Sequence, residues 1–512
     1  MALARNDKQT DQRVQDIAAE ALRVALVAYQ SAGGGAMPSY RRVLYDAGWP
    51  ATRPTALYVD AYGGPASPSW LLPADLYFPT LPIPGETGPD TVGLWQTEVA
   101  GVGSLDRAPA YLDPLGPFTD ANLYVDPTRA TNGDGSAFSP YNNLPSALAA
   151  ASDGQRIGVD GGTLELNSRL FRSTSWATGL EVVALNGERP VLQFASGVTG
   201  ADSRVLTLAG AREVWHGFDI RGWNEGGAGI YLDGTAYGLS AIRASHGNGP
   251  GIFVFGGAGG HRLRDIAVYR VGDGFTADTN VPDCIAFTSG VGSVVQDIEM
   301  ARVFVANGPD DGLDLFRARG VRAWNVVAYD CGRYWNGVNA GDGNGVKMGG
   351  GDSDAGDNQV VGFLAINNRN GGVAHNQARN DSGSNPNIVA AYGTVVDNGG
   401  IGVDAGGDVA SQPNVLRDTI LNGNGTARYV GANALERRTT VSLSIADPGL
   451  VNPTGGDYAL DVGSLCIGAG ITGDDLEAPL VDQASATGAA ENIGASITSL
   501  RMWRYWSQQD LT

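Results

Sequence analysis

The chain has 512 residues, 54 acidic against 34 basic, and its net charge of −20 excludes a nucleic-acid partner, whose phosphates need a basic surface. Glycine, at 75 residues, is about twice its ordinary share, yet there is no collagen period and 43% of the chain is hydrophobic, which excludes a fibrous or disordered protein. Many tight turns joining short strands would account for that composition. Cys284, Cys331 and Cys466 are odd in number and far apart, so they form neither a disulfide framework nor a zinc motif, and they read as small buried side chains. Residues 1–15 are polar and lack the apolar stretch of a Sec signal, and no apolar run is long enough to span a bilayer.

Three regions follow in chain order. Residues 1–118 open with a predicted helix, Thr10 to Gln30, on which Val14, Ile17, Ala21, Val24 and Ala28 step by 3, 4, 3 and 4, the spacing of a coiled-coil seam. That helix either joins copies of the chain or packs on its own domain. From Gly33 to Pro117 the text is rich in Pro, Tyr, Leu and Gly without a period, and it reads as a small β-rich module or an extended adaptor.

Residues 119–497 repeat. Alternating apolar residues are followed by an Asn-, Asp- or Gly-rich turn and a further apolar residue. Ile252, Phe275, Leu313, Val346, Val373 and Ile401 taken as equivalents give steps of 23, 38, 33, 27 and 28. Self-similarity at this period signals a solenoid, and alternation of period two inside each unit makes it a β-solenoid. The two long steps are expected to carry protruding loops. A short Ala/Leu helix, Pro145 to Ala151, caps the front end, where an open strand would otherwise pair with strangers. Residues 498–512 form a tail with Met502, Trp503, Tyr505 and Trp506, which packs on the last coil or meets a partner subunit.

The chemistry concentrates in Asn307-Gly308-Pro309-Asp310-Asp311-Gly312-Leu313-Asp314-Leu315. Three carboxylates within five residues repel one another unless a cation holds them, and an oxygen-only set of this type suits calcium. The plain alternative is a solvated acidic turn. The chain has only two lysines, Lys8 in the N-terminal arm and Lys347 in Asp342-Gly343-Asn344-Gly345-Val346-Lys347-Met348-Gly349-Gly350, about one coil after the acidic cluster. Successive coils lie about 5 Å apart. Arginine holds its proton too tightly to serve readily as a base, whereas a lysine that is desolvated or near positive charge releases it. Lys347 is therefore the candidate base, with a surface lysine as the bland alternative. Arg317, Arg333 and Arg379 lie nearby on the chain and could hold substrate carboxylates bidentately, though each also fits a plain surface position.

These two segments resemble the calcium-binding and catalytic segments of the family 9 polysaccharide lyases, the pectate-lyase type, in the same order. The opening text also resembles that family: Leu123-Tyr124-Val125-Asp126, Asn132-Gly133-Asp134-Gly135, Pro140, Ala147-Leu148, Asp153-Gly154-Gln155 and Gly161-Gly162-Thr163. The closing text, Asp447-Pro448, Asp457-Tyr458, Ile467-Gly468-Ala469-Gly470 and Asn492-Ile493-Gly494-Ala495, resembles the end of many bacterial β-helix proteins. The resemblance implies an all-β chain, a right-handed parallel β-helix behind the N-terminal helix and adaptor module. It implies calcium on Asp310, Asp311 and Asp314, with Lys347 as base. A further ligand expected one coil earlier matches Asp283 best, although Cys284 follows it where the family has glycine. Asp273 looks similar locally but lies too far upstream. Gly371-Gly372-Val373-Ala374-His375-Asn376 departs from the family text, which bears on the substrate more than on the reaction.

The expected activity is β-elimination of an acidic, uronate-containing polysaccharide, be it a host capsule, an exopolysaccharide or a pectin-like polymer. A β-helix glycoside hydrolase working through paired aspartates and a non-catalytic glycan-binding spike or adhesin are the alternatives. The N-terminal seam, the adaptor and the absent Sec signal together resemble a bacteriophage tailspike. That implies a homotrimer docked to virion tail proteins through residues 1–118, located on the virion tail or outside the cell, with no membrane partner.

Overall fold

The computed structural model describes residues 121–466, apart from 186–188, 197, 199–202, 258, 273–280, 289–293, 335–336, 351–354, 376–387, 407–413, 431, 433, 438, 440, 442–444, 453–456 and 461–463. The expected N-terminal helix and adaptor, Asp273 with Phe275, Arg379 and the aromatic tail all lie outside the described residues. Among those described, strand follows strand, and the one helix is Leu144–Ala150. Asn143 caps it by accepting from the Ser146 amide at 2.9 Å, a proline stands in its first turn, and Leu144, Ala147 and Leu148 are buried. It packs on strands Leu123–Val125 and Arg156–Val159, as the expected cap of the front end should. No helix among the described residues is long and apolar enough to cross a membrane.

The strands wind into a right-handed parallel β-helix. One wall is a ladder of ten short parallel strands, from Leu170–Arg172 to Thr426–Val430. Ile230, Ile252, Ile285, Leu313, Val346, Val373 and Val403 occupy one position on seven successive rungs of it. All are at most 1% exposed, because alternate strand residues face opposite sides and this set faces the core. The register corrects two equivalences. Ile285 stands where Phe275 was expected, and Val403, not Ile401, pairs with Val373. Asp273-Gly274-Phe275 has the turn-then-apolar pattern locally, but pattern within one coil cannot tell which apolar residue meets its neighbour on the next rung. The true steps are 33, 28, 33, 27 and 30, so the acidic segment sits on a coil of ordinary length.

The other wall is a larger parallel sheet whose long strands share a bend. Arg262–Val271, Glu299–Ala306, Arg322–Tyr329, Gln359–Ile366 and Val389–Val396 bend at Asp265, Arg302, Asn325, Gly362 and Tyr392, all of positive φ and all skipped by the ladder. Successive corners hold each other: the Arg302 guanidinium donates to both carboxylate oxygens of Asp265, at 2.6 and 2.8 Å. Cys284, Cys331 and Cys466 are buried and unpaired.

A buried stack of asparagines ties the later coils together. The Asn398 amide oxygen accepts from the Asn368 backbone and side-chain nitrogens at 3.0 and 2.8 Å, and its NH2 donates to Asn424 Oδ1 at 2.8 Å and to the Ala365 carbonyl at 3.1 Å. Replacing it by an apolar residue of similar volume leaves these partners buried and unpaired. Asn398→Leu should therefore cost about 3 kcal/mol, read as a fall of several degrees in thermal midpoint. An unchanged midpoint would show that the stack carries no stability.

Candidate active site

Leu313–Asp314 and Val346–Lys347 are adjacent two-residue strands in the short-stranded wall. Leu313 pairs with Val346 and Asp314 with Lys347. Since Leu313 and Val346 face the core, Asp314 and Lys347 share the outer face, one rung apart. The turn before Leu313 is threaded against its neighbours. Gly312 has no room for a side chain, because a Cβ there would meet the Gly345 carbonyl oxygen at 2.5 Å. Gly341, at φ +51°, lets the next coil close over Asp310, whose Oδ1 accepts from the Asp342 amide at 2.5 Å.

This threading gathers five carboxylates. Asp283 Oδ1 accepts from the Asp311 amide at 3.0 Å, and Asp311 Oδ1 accepts from the Asn344 amide and side chain at 2.7 and 2.9 Å. Oxygens of Asp283, Asp311 and Asp314 lie within 4.8 Å of one another, as do those of Asp310, Asp311 and Asp342. The Lys347 ammonium enters the same space. Its Nζ lies 3.0 Å from Asp311 Oδ2 and 3.5 Å from Oδ2 of both Asp314 and Asp342. Asp311 is fully buried, and its Oδ2 takes no hydrogen bond of good geometry beyond that ion pair. The Phe316 ring lies beneath, its centroid 5.9 Å from Nζ.

One cation therefore faces an excess of buried negative charge. Burial, then Asp314, Asp311 and Asp310, push the Asp283 carboxyl well up. Burial pushes Asp314 up to about 8 against the pull of Lys347, and burial with Asp311 pushes Asp310 up to about 6. Burial also raises Asp311, partly offset by Lys347 and the Asn344 amide. For Lys347, burial favours the neutral amine, but Asp311, Asp314 and Asp283 together outweigh it and hold the proton on. Oxygen ligands crowded to this degree, one with an orphaned lone pair, fit a hard cation that takes six to eight oxygens at flexible geometry.

Of the residues singled out in the sequence, Lys347, Asp283, Asp310, Asp311 and Asp314 converge. Arg317 lies alongside, its guanidinium carbon 5.4 Å from the Phe316 centroid. Arg333 is bound to Asp330 Oδ1 at 2.5 Å and to the Asn367 carbonyl at 2.8 Å. Asp342, Asn344 and Phe316 belong to the site but were not singled out. The first two stood in the quoted lysine segment, and only the coil-to-coil register shows that they face the acidic turn.

The coils define a right-handed parallel β-helix, and sequence comparison places the chain in a family of that fold. The family model described as "Pel9A-like, right handed beta helix region" matches residues 123–400, and the chain belongs to that family. Pectate lyase L of Paenibacillus polymyxa (strain SC2) is 26% identical over 278 residues, covering 50% of this chain and 59% of that relative, so the match spans somewhat over half of the relative's length. Among solved structures, pectate lyase Pel9A aligns with a TM-score of 0.58 at 20% identity, over 73% of this chain and 95% of that one. A rhamnogalacturonan lyase aligns with a TM-score of 0.51 at 15% identity, over 64% and 90%. At these identities the structural likeness concerns the fold.

The raised carboxyls fix a pH dependence. The folded cluster binds more protons than the unfolded chain above the ordinary carboxylate range, so its contribution to stability is lost as pH rises through about 6 and about 8. The Lys347 charge moderates this by pulling the same groups down. In chelator, the thermal midpoint should fall from pH 5 to pH 8, and Lys347→Ala should fall further over that interval. Parallel curves for the two proteins would show that the ammonium does not compensate the cluster.

Proposed function

We propose that this protein is a polysaccharide lyase that cleaves an acidic, uronate-containing polysaccharide by β-elimination, with Lys347 as the base and Asp283, Asp310, Asp311 and Asp314 as calcium ligands. The observation that carries the reading is the entry of the Lys347 ammonium, from the rung beside Asp314, into the space where the aspartates converge. Membership of a family whose named relative is a pectate lyase supports it. Asp311 and Asp314, counter-ions of Lys347, are the same carboxylates that a metal would claim. When bound, calcium supplies positive charge that offsets the aspartates and, by drawing on the uronate carboxylate, acidifies the proton at C5.

The chain's own residues do the rest. Asp311, buried and fixed by Asn344, and Asp283, fixed by the Asp311 amide, set the ligand oxygens without rearrangement. Neutral Lys347 takes the C5 proton at Nζ. The C5–H electron pair becomes the C4=C5 double bond, the C4–O4 bond breaks, and the leaving oxygen takes a proton from solvent. Burial of the amine favours its neutral form, while the Phe316 ring 5.9 Å from Nζ favours the charged one. Arg317 stands close enough to meet a neighbouring carboxylate of the polymer, and Arg333 and Arg379 are assigned the same role on their place in the chain.

Incubation with a panel of uronate polymers tests this. Elimination leaves an unsaturated product that absorbs in the ultraviolet, hydrolysis leaves new reducing ends without it, and a binding spike leaves neither. The expected result is calcium-dependent absorbance, abolished by chelator and reduced at least a thousandfold in Lys347→Ala. A Lys347→Ala protein that retains its rate would remove the base assignment.

On the same reading, residues 1–118 form an attachment module, residues 119–497 the catalytic β-helix and residues 498–512 a packing tail, the whole serving as a trimeric tailspike depolymerase outside the cell or on a virion tail. The seam of Val14, Ile17, Ala21, Val24 and Ala28 supports this. Light scattering should give a trimer for the full chain and a monomer for residues 119–512, with lyase activity retained by both. A monomeric full chain would remove the tailspike context and leave the chemistry untouched.

A further inference from the structure

The outer face that presents Asp314 and Lys347 is continuous along the helix axis. Toward the N-terminal end, the position of Asp314 is held on successive rungs by Ala286, Phe253 and Tyr231. Toward the C-terminal end, that of Lys347 passes to Ala374 and Asp404. The two directions differ in chemistry. On the N-terminal side Phe253 and Phe255, two residues apart on one strand, present nearly parallel rings with centroids 6.0 Å apart and an interplanar angle of 23°. Tyr231 lies 5.4 Å from Phe253 and 5.9 Å from Phe255. The Arg204 guanidinium covers the Tyr231 ring at 3.7 Å, so Tyr231 is only 6% exposed. On the C-terminal side the row reaches a carboxylate, Asp404, and only beyond it a single exposed ring, Tyr429.

Core packing does not account for Phe253 and Phe255. The core side of that strand is filled by Ile252 and Val254, both fully buried, while the two rings face outward and remain half-buried. Outward aromatics side by side on the face of an aspartate-and-lysine cluster are a surface for a flat partner with an apolar face and a polar rim. A pyranose ring has that form: its axial C–H groups make an apolar face, and its hydroxyls lie at the edge. Phenylalanine offers no hydrogen-bonding group, so it recognises the face and not the rim. Phe253 stands three rungs from Lys347, about 14 Å along the axis, within reach of a chain whose reacting unit lies at the lysine. Arg204 adds positive charge on that side, shared with the nearby carboxylate of Asp233, whereas Asp404 repels a polyanion on the other.

We infer that Phe253 and Phe255, backed by Tyr231 and Arg204, form a sugar-stacking platform for the acidic polysaccharide, which therefore lies along the short-stranded wall with its longer bound part toward the N-terminal coils. This rests on the lyase reading for the identity of the polymer and goes beyond it in placing and orienting the chain.

The test uses Phe253→Leu, which keeps apolar volume but removes the ring face, and Arg204→Gln, both in the full chain. KM for long polymer should rise about tenfold in Phe253→Leu, with the rise shrinking as the substrate is shortened to chains that end before the platform. Arg204→Gln should raise KM less, and more so at low salt than at high. Phe253→Leu in a Lys347→Ala background should weaken retardation in gels containing the polymer by about the same tenfold factor. If the protein cleaves the polymer but Phe253→Leu keeps the parent KM at every chain length, the platform is wrong and the lyase reading stands. If no polymer is cleaved, yet Phe253→Leu abolishes retardation, the reaction is wrong and the platform stands. A change of oligomer mass in Phe253→Leu with KM unaltered would assign the rings to a subunit interface and overturn the proposal.

Discussion

The rung spacing of a parallel β-helix is the constraint on which the site depends. Backbone hydrogen bonding sets each coil about 4.8 Å from the next, and side chains at one register position have no freedom to part. Asp314 and Lys347 are neighbours because Leu313 and Val346 are, and those two are neighbours because both must fill the core. Hydrophobic register thus fixes polar geometry. The cluster of like charges is held by a ladder that continues for five rungs before Asp314 and three after Lys347.

Charge within the cluster is arranged with economy. Asp311 is wholly buried, yet one of its oxygens is satisfied by Asn344 and the other meets only the Lys347 ammonium. Asp283 and Asp314 are pushed toward their neutral forms by burial and by each other. A site built this way is poorly neutralised by its own residues. Lysine suits the position where arginine would not. The ammonium is a compact charge on a flexible stem that reaches three carboxylates at once, while a guanidinium would hold a rigid planar fork.

Most of the fold was legible in the sequence, and so were five of the side chains that lie together at the candidate site. Period-two alternation, Gly-rich turns and a repeat of about thirty residues announced a β-solenoid, and the lysine-poor composition singled out Lys347. The failures share one cause. Phe275 was placed on the wall that Ile285 occupies, Ile401 stood in for Val403, and Asp342 was passed over although it lies 3.5 Å from Nζ. Each of these depends on which residue of one coil meets which residue of the next. That pairing is set by burial across some thirty residues of chain and leaves no trace in any one segment. Asp283 is the instructive exception. Its local text fitted the family loosely, with cysteine where glycine was expected, yet Cys284 is buried and its amide donates to the Asp311 carbonyl, beside the bond from the Asp311 amide to Asp283.

The bends of the larger wall explain why such register can be kept over so many coils. A strand that turned at a different point on each rung would shift the following short strand along the axis and move its outward residues off the row. Here the turning residue is stacked: Asp265, Arg302, Asn325, Gly362 and Tyr392 sit at equivalent points, and four of the five accept a left-handed conformation that only glycine adopts without cost. Strain at the corner is tolerable because it is repeated and cross-linked, as in the Arg302 pair with Asp265. The asparagine stack at Asn368, Asn398 and Asn424 fastens another part of the coil in the same way. The short strands Leu313–Asp314 and Val346–Lys347 need only two residues each to hold Asp314 and Lys347 in register, which frees the rest of each coil to vary.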